Sequence, residues 1–297
     1  MNQDLEFLAG KSLWVRRTVL KMALAAHSGH VSTAYSQTEM LVALYHGGIL
    51  NVKPEEPKWP ERDRFILSKG QGGIGLYPIL ADMGYFPVEE LDKFCKPGGM
   101  LGVHSEWHTP GIEVITGSLG HGLPIATGMC EAALMDGKNH LVFVMLGDGE
   151  LCEGSNWEAM FTVAHKKYPN LVIILDRNGQ ATIGKIESHD FSSDGPTQEP
   201  LGAKFEAFGC EVRRIDGHDF NAIFECFSDI RERPKKEWTR RPLVVISDTH
   251  KGHGASVMED IRKRHYWIPQ ASDLDKTISE LGMDWLMESS VKKNEGY

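Results

Sequence analysis

The sequence lacks the features of membrane, secreted and nucleic-acid-binding proteins. No apolar run approaches the roughly 20 residues that cross a bilayer, and the N-terminus, MNQDLEF, has neither the positive charge nor the apolar core of a signal peptide. The five cysteines are irregularly spaced and form no CxxC pair, so they indicate neither a disulfide framework nor a zinc site. A net charge of −9 argues against a nucleic-acid partner. We therefore expect a cytoplasmic protein with no membrane and no nucleic acid among its partners.

Strand and helix patterns alternate along the whole chain. Its 297 residues, of which 41% are hydrophobic, can bury a large core. Short apolar runs predict strands at 63–68, 141–146, 171–175 and 243–247, and we also expect a strand at 211–215. Helical periodicity lies around them, for example at 5–26, 36–45, 220–232 and 273–285, and a capping box of Ser36 and Glu39 predicts the start of the second of these helices. This alternation predicts a doubly wound, mainly parallel α/β sheet in a main domain at 1–270, followed by a C-terminal helix and tail at 271–297.

The most informative stretch is 141–184, which has the pattern of a strand, a helix and a second strand. The first apolar run stops at the tripeptide GDG (147–149). A capping box of Ser155 and Glu158 then predicts the start of a helix. The second apolar run leads to the tripeptide DRN (176–178). Together these elements predict a βαβ unit.

The two strands of this unit should be parallel neighbours, which brings Asp148 and Asn178 to the same carboxyl edge of the sheet. One carboxylate, one amide oxygen and a nearby backbone carbonyl are hard donors that suit Mg²⁺ or Ca²⁺, with diphosphate oxygens completing the shell. Gly149 has no side chain, so its backbone can approach a phosphate closely. Two further glycine-rich turns between a strand and a helix, 69–73 and 116–122, suggest one extended cofactor with a polar head.

Two plainer interpretations of this stretch compete. Gly-Asp-Gly is good turn chemistry in any protein, so the glycines could serve only a strand-to-helix turn. A dinucleotide site is the other interpretation, but 147–152 lacks the third glycine of GxGxxG. The second half of the stretch favours another ligand, because 28 residues separate GDG from Asn178. GDG followed at about this distance by Asn resembles the thiamine diphosphate (ThDP) motif.

The chain as a whole resembles the N-terminal, diphosphate-binding part of transketolase. Segments that match the family occur in family order: SGH (28–30), DRFILSKG (63–70), PGIEVITGSLGHG (110–122), GDGELCE (147–153), DRN (176–178), DGHD (216–219) and KGHG (251–254). The resemblance implies ThDP and Mg²⁺ or Ca²⁺ as cofactors. Full-length family members continue into a pyrimidine-binding domain. We therefore expect this chain to be the first subunit of a split transketolase, active only with a C-terminal partner subunit in an α2β2 assembly.

The resemblance also assigns the cofactor site. Asp148, Asn178 and the backbone oxygen of Gln180 would bind the metal. The expected cofactor contacts are Gln71, Gly117, Leu119, Gly149, Glu150, Asn178 and His265. In the family, the positions of Gly117 and Leu119 meet the aminopyrimidine and the thiazolium, and that of Gly149 presents its N–H to the diphosphate. Glu153 matches a glutamate at the family's subunit interface, and the alternative is a solvated charge at a helix start.

Three histidines are the expected catalytic residues. His30, His104 and His265 match family histidines that line the substrate channel and move protons to and from the donor hydroxyl. Imidazole is the side chain best suited to proton transfer at neutral pH. At Gln71 the family usually has a histidine, and glutamine donates a hydrogen bond but cannot carry a proton. This departure, with Val31-Ser32 in place of the family's Pro-Gly, puts the ordinary pentose phosphate acceptor in doubt.

The resemblance implies a transferase that moves a two-carbon ketol unit, glycolaldehyde, from a ketose to an aldose-like acceptor. One alternative keeps the cofactor: an α-type subunit of a ThDP-dependent 2-oxo acid dehydrogenase that hands an acyl or glycolyl unit to a carrier. The SGH and DGHD motifs favour the transketolase. Another alternative is a non-catalytic interaction subunit, against which the intact Asp148 and Asn178 argue. The sequence names neither the donor nor the acceptor.

Overall fold

Five strands form one parallel sheet at the centre of the fold. The computed structural model describes residues 4–181, 184–186, 198–232 and 241–284. The strands within these ranges are β1 (Arg64–Leu67), β2 (Val142–Gly147), β3 (Leu171–Arg177), β4 (Gln180–Ala181), β5 (Gly184–Lys185), β6 (Glu211–Asp216) and β7 (Leu243–Asp248). The five longer strands lie in the order β1-β2-β3-β7-β6, and every neighbouring pair is parallel. The short strands β4 and β5 form a separate antiparallel pair. The predicted fold class is confirmed.

Helices cover both faces of the sheet. They are α1 (Leu5–Ala26), α2 (Val31–Ser36), α3 (Thr38–Tyr45), α4 (Gly73–Asp82), α5 (Gly122–Met135), α6 (Gly154–Lys166), α7 (Leu201–Ala207), α8 (Phe220–Cys226) and α9 (Ala271–Glu280). In the part of the chain that the structure describes, no helix is both long and apolar enough to cross a bilayer. Helix α9 joins the core through Ile278, and Arg17 donates to the carbonyl of Leu281 at 2.6 Å. The division at residue 270 stays a prediction.

The strands β2, β3 and β7 begin as uninterrupted apolar runs because both of their faces are buried, whereas the edge strand β6 carries Glu211, Arg213 and Arg214 and is only partly buried. Along β3, Val172 and Ile174 pack into the hydrophobic cluster that contains residues of α1, α3, α4 and α8. Ile173 and Leu175 point the other way, into the cluster that contains residues of α5, α6 and α7. Side chains that alternate between two apolar layers leave no polar position within the strand, so polar residues appear only where the strand ends.

The order of the strands brings four chain segments to one edge of the sheet. β2 and β3 are neighbours joined by α6, as the βαβ pattern predicts. After β3 the chain first forms β6 at the edge of the sheet, and it then returns to form β7 in the gap between β3 and β6. The residues that follow β1, β2, β3 and β7 therefore meet at the same carboxyl edge, the edge at which parallel sheets bind ligands.

Several local predictions were wrong, each for a physical reason. Ser155 does not cap α6 but lies inside it and donates to the carbonyl of Gly120 at 2.8 Å. Ser36 ends α2 and donates to Asp176 at 2.7 Å, so it forms no capping box with Glu39. In both cases a tertiary acceptor competes successfully with the local one. Residues 112–115 form no strand, and α8 ends at Cys226 rather than at residue 232.

A buried ion pair ties α1 to α3. The guanidinium of Arg16 donates to both carboxylate oxygens of Glu39, at 2.6 and 2.8 Å, and both side chains are 7% exposed. Burial alone would raise the pKa of Glu39, but Arg16 and the hydrogen bonds from His218 and Arg16 outweigh it and lower that pKa to about 2. The carboxylate of Glu39 therefore stays ionised. Removing either side chain of the pair would leave the other as an unpaired buried charge.

We predict that Glu39→Gln lowers the free energy of unfolding by about 3–5 kcal/mol, because Arg16 is left buried without an anion. The matched control is Glu56→Gln, which breaks the exposed pair with Lys53 and should change stability by less than about 1 kcal/mol. Urea denaturation of the full chain measures both. Similar small losses for the two variants would contradict the account of the buried pair.

Candidate functional site

A cavity of about 270 Å³ opens at the carboxyl edge of the sheet. Its lining contains every site residue that the sequence analysis names: His30, Gln71, His104, Gly117, Leu119, Asp148, Gly149, Glu150, Glu153, Asn178, Gln180 and His265. These residues come from several separate places in the chain. Their convergence shows that the fold brings them together. The chemical role of each one stays a prediction.

Asp176 is the centre of the polar network at this edge. It ends β3 with 0% exposure, and its carboxylate accepts hydrogen bonds from Ser36 at 2.7 Å, from Thr249, and from the ammonium of Lys69. Burial alone would raise the pKa of Asp176, but Lys69 and these hydrogen bonds outweigh it and lower that pKa. Asp176 is therefore an ionised carboxylate whose charge is balanced by a lysine of the protein.

Asp148 is a second buried carboxylate, and backbone N–H groups rather than a lysine lie within hydrogen-bond distance of it. It follows β2, is 1% exposed, and accepts hydrogen bonds from the backbone N–H groups of Gly149 at 2.7 Å and Gly179 at 2.5 Å. Burial and the neighbouring charge of Asp176 raise the pKa of Asp148 to about 6. The charge of Lys69 is already paired with Asp176, so Asp148 is the carboxylate at which a bound cation would relieve the electrostatic cost.

The donors beside Asp148 suit a hard divalent cation. Asn178 lies two residues beyond Asp176, and its side-chain oxygen accepts the N–H of Gln180 at 3.2 Å, so this oxygen is held at the cavity wall. The side-chain oxygen of Gln180 is buried and has no hydrogen-bond partner in the described structure. The described residues contain no cluster of three or more His, Cys, Asp or Glu side chains that could hold a metal. A metal here would depend on one carboxylate, amide and backbone oxygens, and the oxygens of its ligand.

Lys251 supplies a buried cation on the other side of the cavity. It follows β7 and is 4% exposed, and its ammonium lies 2.7 Å from the Nδ1 atom of His265 and 3.4 Å from the carbonyl oxygen of Gln180. Burial and the nearby Lys69 lower the pKa of Lys251 to about 8. Within the described ranges, no carboxylate forms a direct ion pair with this ammonium. A lysine ammonium is a type of group that binds phosphate oxygens.

The three predicted catalytic histidines are adjacent. The ring centroids of His30 and His265 are 5.4 Å apart, and those of His30 and His104 are 6.2 Å apart. Burial, with His104 and Lys251 nearby, lowers the pKa of His30 to about 4, and burial with Lys251 and His30 lowers that of His265 to about 3. Both imidazoles are neutral at pH 7, and the Nδ1 atom of His30 is buried without a partner among the described residues. Such rings can accept or donate hydrogen bonds to substrate hydroxyls.

The glycine-rich segment 116–122 forms one wall of the cavity. Gly117 has a φ of +139°, and a Cβ there would lie 3.0 Å from the ring of His104, so the close approach needs glycine. Glu150 holds this wall in place, because its carboxylate accepts the N–H of Gly120 at 2.9 Å and the N–H of Gly147 at 3.2 Å. A direct contact of Glu150 with a cofactor stays a prediction.

The remaining predicted residues lie toward the opening of the cavity. Gln71 and Leu119 are half-buried, and Glu153 is exposed just before α6. The exposure of Glu153 fits both interpretations, a solvated charge at the start of α6 and a residue of a subunit interface. Gly149 lies at the end of β2, where a Cβ would come within 2.9 Å of Ala181, so this position also requires a bare backbone.

The sequence analysis assigned no role to three of the most buried charged groups. Asp176, Lys69 and Lys251 belong to matched segments, yet their importance comes from contacts between residues far apart in sequence. The sequence did contain one signal for these three residues. Each charged residue lies at or shortly after the end of an apolar strand, and a charge at that position needs solvent, a ligand or an opposite charge beside it.

Comparisons with known proteins agree with this geometry. A family model described as transketolase, thiamine diphosphate binding domain, matches residues 14–294. A protein of Actinobacillus succinogenes, named as one subunit of an apulose-4-phosphate transketolase, is 38% identical over 282 residues, which are 94% of this chain and 98% of that protein. A protein of Clostridium sp. named 6-deoxy-6-sulfo-D-fructose transketolase subunit SqwG is 35% identical over 270 residues, which are 88% of this chain and 94% of that protein.

Longer proteins match over part of their length. Human transketolase is 32% identical over 267 residues, which are 89% of this chain and 40% of that protein. The crystal structure of transketolase from Campylobacter jejuni superposes with a TM-score of 0.83 and 28% identity, covering 95% of this chain and 43% of that one. The chain therefore corresponds to about two fifths of these longer transketolases and to nearly the whole of the two shorter relatives.

We predict that neutralising the two buried aspartates changes the free energy of unfolding by very different amounts. Asp176→Asn should lower the free energy of unfolding by about 3–5 kcal/mol, because it leaves Lys69 buried without its anion. Asp148→Asn should change it by less than about 1 kcal/mol, because removing an uncompensated charge offsets the loss of one backbone hydrogen bond. Urea denaturation without added metal compares them, and a loss at Asp148 as large as that at Asp176 would refute the assignment of charges.

Proposed function

The chain belongs to the transketolase family, and from that premise we propose that it is the diphosphate- and metal-binding subunit of a two-subunit transketolase. Its reaction is the transfer of a two-carbon ketol unit from a ketose to an aldose-like acceptor. The observation that carries the proposal is the one cavity that Asp148, Asn178, Lys251 and the three histidines line together. The 2-oxo acid dehydrogenase alternative has no supporting observation of this kind, and the relatives described above carry transketolase names.

The residues present fit the cofactor. Asp148, Asn178 and the backbone oxygen of Gln180 would hold Mg²⁺ or Ca²⁺, because together they offer the oxygen donors that these ions prefer. The N–H of Gly149 and the ammonium of Lys251 would bind the diphosphate. When bound, ThDP would supply the carbon nucleophile that ketol transfer from a ketose carbonyl requires. The protein's part is to fix this group against the wall formed by Gly117 and Leu119 and to exclude water.

His30, His104 and His265 handle the hydroxyl groups of the sugar. The ring of His30 lies 5.4 Å from that of His265 and 6.2 Å from that of His104, so a substrate bound beside these rings meets several hydrogen-bonding groups at once. The lowered pKa of His30 keeps its ring uncharged at neutral pH, and it can therefore accept a proton from a hydroxyl group in the reaction. Gln71, at the same wall, can orient a hydroxyl or a phosphate by a hydrogen bond but cannot take part in proton transfer.

The partner is a C-terminal transketolase subunit with a pyrimidine-binding domain, in an α2β2 assembly. Two relatives are named as transketolase subunits, and the chain spans about 40% of full-length transketolases. Large apolar side chains are exposed on α5 and α6, including Met135 at 79% and Phe161 at 69%, and a partner would cover them. Glu153 lies at the edge of the cavity, just before α6. All five cysteines are free, which suits the cytoplasm.

The donor is a ketose that carries an anionic group at the end away from its carbonyl. One relative is named for apulose 4-phosphate and another for 6-deoxy-6-sulfo-D-fructose, so a phosphate or a sulfonate at that end is the shared chemistry. Gln71 in place of the family histidine favours an acceptor other than the ordinary pentose phosphate.

Binding and activity of the reconstituted complex test the proposal. We expect the chain, combined with a partner subunit that supplies the pyrimidine-binding domain, to bind ThDP in the presence of Mg²⁺ and to transfer a ketol unit from at least one ketose of a phosphate and sulfonate panel. Asp148→Ala should abolish binding because it removes the charged metal ligand. The control is Asp275→Ala, an exposed residue of α9 outside the cavity lining, which should leave binding unchanged.

Calorimetry and a coupled ketol-transfer assay measure these outcomes. Equally tight ThDP binding by the isolated chain would contradict the shared site. Full activity of Asp148→Ala would refute the metal assignment, and a complex that binds ThDP but transfers no ketol unit from any ketose would refute the reaction.

A further inference from the structure

A connected set of buried polar groups lies behind the cavity and contains none of its lining residues. It runs from Arg16 on α1 through Glu39 on α3 to His218, which lies between β6 and α8. We call these three residues the Arg16–Glu39–His218 clamp. His218 belongs to the DGHD motif, to which the proposed function assigns no role. Its side chain is 11% exposed, so burial of its polar atoms must be matched by specific hydrogen bonds.

The clamp fixes both nitrogens of the His218 ring. Glu39 is ionised and accepts two hydrogen bonds from Arg16, and its Oε2 atom also lies 2.9 Å from Nδ1 of His218. Nδ1 must therefore be the protonated donor nitrogen. The other nitrogen, Nε2, accepts the backbone N–H of His250 at 2.9 Å. A neutral imidazole with one donor and one acceptor satisfies both contacts.

The His250 bond lies directly beside Lys251. The three backbone N–H groups that follow β7 donate hydrogen bonds to three different partners. Thr249 donates to the carbonyl of Arg177 at 3.0 Å, His250 donates to His218, and Lys251 donates to Asp260 at 3.1 Å. His218 therefore supplies the middle of the three bonds that set the path of the backbone from which Lys251 reaches into the cavity.

The ring of His218 is also restrained from its faces. It stacks on His253 with centroids 3.7 Å apart and is nearly parallel to His250, with an interplanar angle of 10° and centroids 6.0 Å apart. The carbonyl of His253 accepts the Nε–H of Arg16 at 2.9 Å, so the loop that carries His253 is tied to the same clamp. Rotation of the ring away from His250 would break contacts on several sides at once.

We propose that His218 is a positioning residue for Lys251. By accepting the N–H of His250 it holds the segment after β7 in the one path that places the lysine ammonium inside the cavity, and Glu39 selects the ring tautomer that makes this possible. The significance of that position for the cofactor diphosphate rests on the proposed function, whereas the position itself can be measured without any ligand.

The test uses the full chain without ligand and measures two local properties. Hydrogen exchange reports the N–H of His250, and amine acetylation followed by peptide mass spectrometry reports the accessibility of Lys251. In His218→Phe the ring shape remains and both nitrogens are lost. We expect both rates to rise about tenfold, as the loss of one hydrogen bond to a buried group predicts. In His218→Gln an amide donor and acceptor remain, and both rates should stay within about threefold of wild type.

Asp219→Ala is the matched control for general destabilisation. It removes the cap of α8, where Asp219 accepts the N–H of Asn221 at 2.8 Å, one residue away from His218. It should leave the acetylation rate of Lys251 unchanged. If His218→Phe fails to fold, His218→Ala is measured instead. A folded variant without the ring nitrogens in which Lys251 is acetylated at the wild-type rate would overturn the proposal.

A second measurement separates this inference from the proposed function. In the complex with the partner subunit, His218→Phe should weaken Mg²⁺-dependent ThDP binding about tenfold while kcat at saturating ThDP changes less than about threefold, because saturating cofactor returns Lys251 to its place beside His265. His218→Gln should restore the affinity. Unchanged ThDP affinity in His218→Phe would overturn the link to the cofactor. Failure of the wild-type complex to bind ThDP would instead refute the proposed function and leave the acetylation result to decide on His218.

Discussion

Two carboxylates are buried side by side at the ends of β2 and β3, and within the described structure a lysine pairs directly with only one of them. Asp176 has the ammonium of Lys69 and the hydroxyls of Ser36 and Thr249, and its pKa is lowered. Asp148 is held by backbone N–H donors, and its pKa is raised to about 6. Burying this second charge costs free energy, and a divalent cation bound beside Asp148 together with an anionic ligand would offset that cost.

The rest of the molecule supports this edge of the sheet. Apolar side chains on both faces of β2, β3 and β7 leave the ends of these strands as the positions for polar groups, and the strand order places the ends of β1, β2, β3 and β7 together. Lys69 and Lys251 reach the edge from β1 and β7. Behind them, the Arg16–Glu39–His218 clamp ties α1 and α3 to the segment that carries Lys251. The charged groups of the cavity therefore depend for their positions on hydrogen bonds and packing outside the cavity.

The sequence predicted the sheet and the neighbourhood of Asp148 and Asn178 because both follow from local patterns. Uninterrupted apolar runs predict strands buried on both faces, and a short βαβ unit forces its two strand ends to one edge. Ser155 and Ser36 were misjudged as helix caps because their hydrogen-bond partners, Gly120 and Asp176, are distant in sequence. The central place of Asp176 was missed for the same reason. No spacing rule reveals that residues 36, 69 and 249 meet around one carboxylate, or that the pKa values of the two aspartates shift in opposite directions.

The central claim is that a cation sits on Asp148 and not on Asp176. The most direct measurement is a crystal structure of the complex with its partner subunit, grown with ThDP and Mn²⁺ in place of Mg²⁺, with anomalous data collected for manganese. The account predicts one strong anomalous peak within about 2.3 Å of an Asp148 carboxylate oxygen and of the side-chain oxygen of Asn178, with Lys69 still paired to Asp176. A peak coordinated by Asp176, or a bound diphosphate with no metal near Asp148, would contradict it.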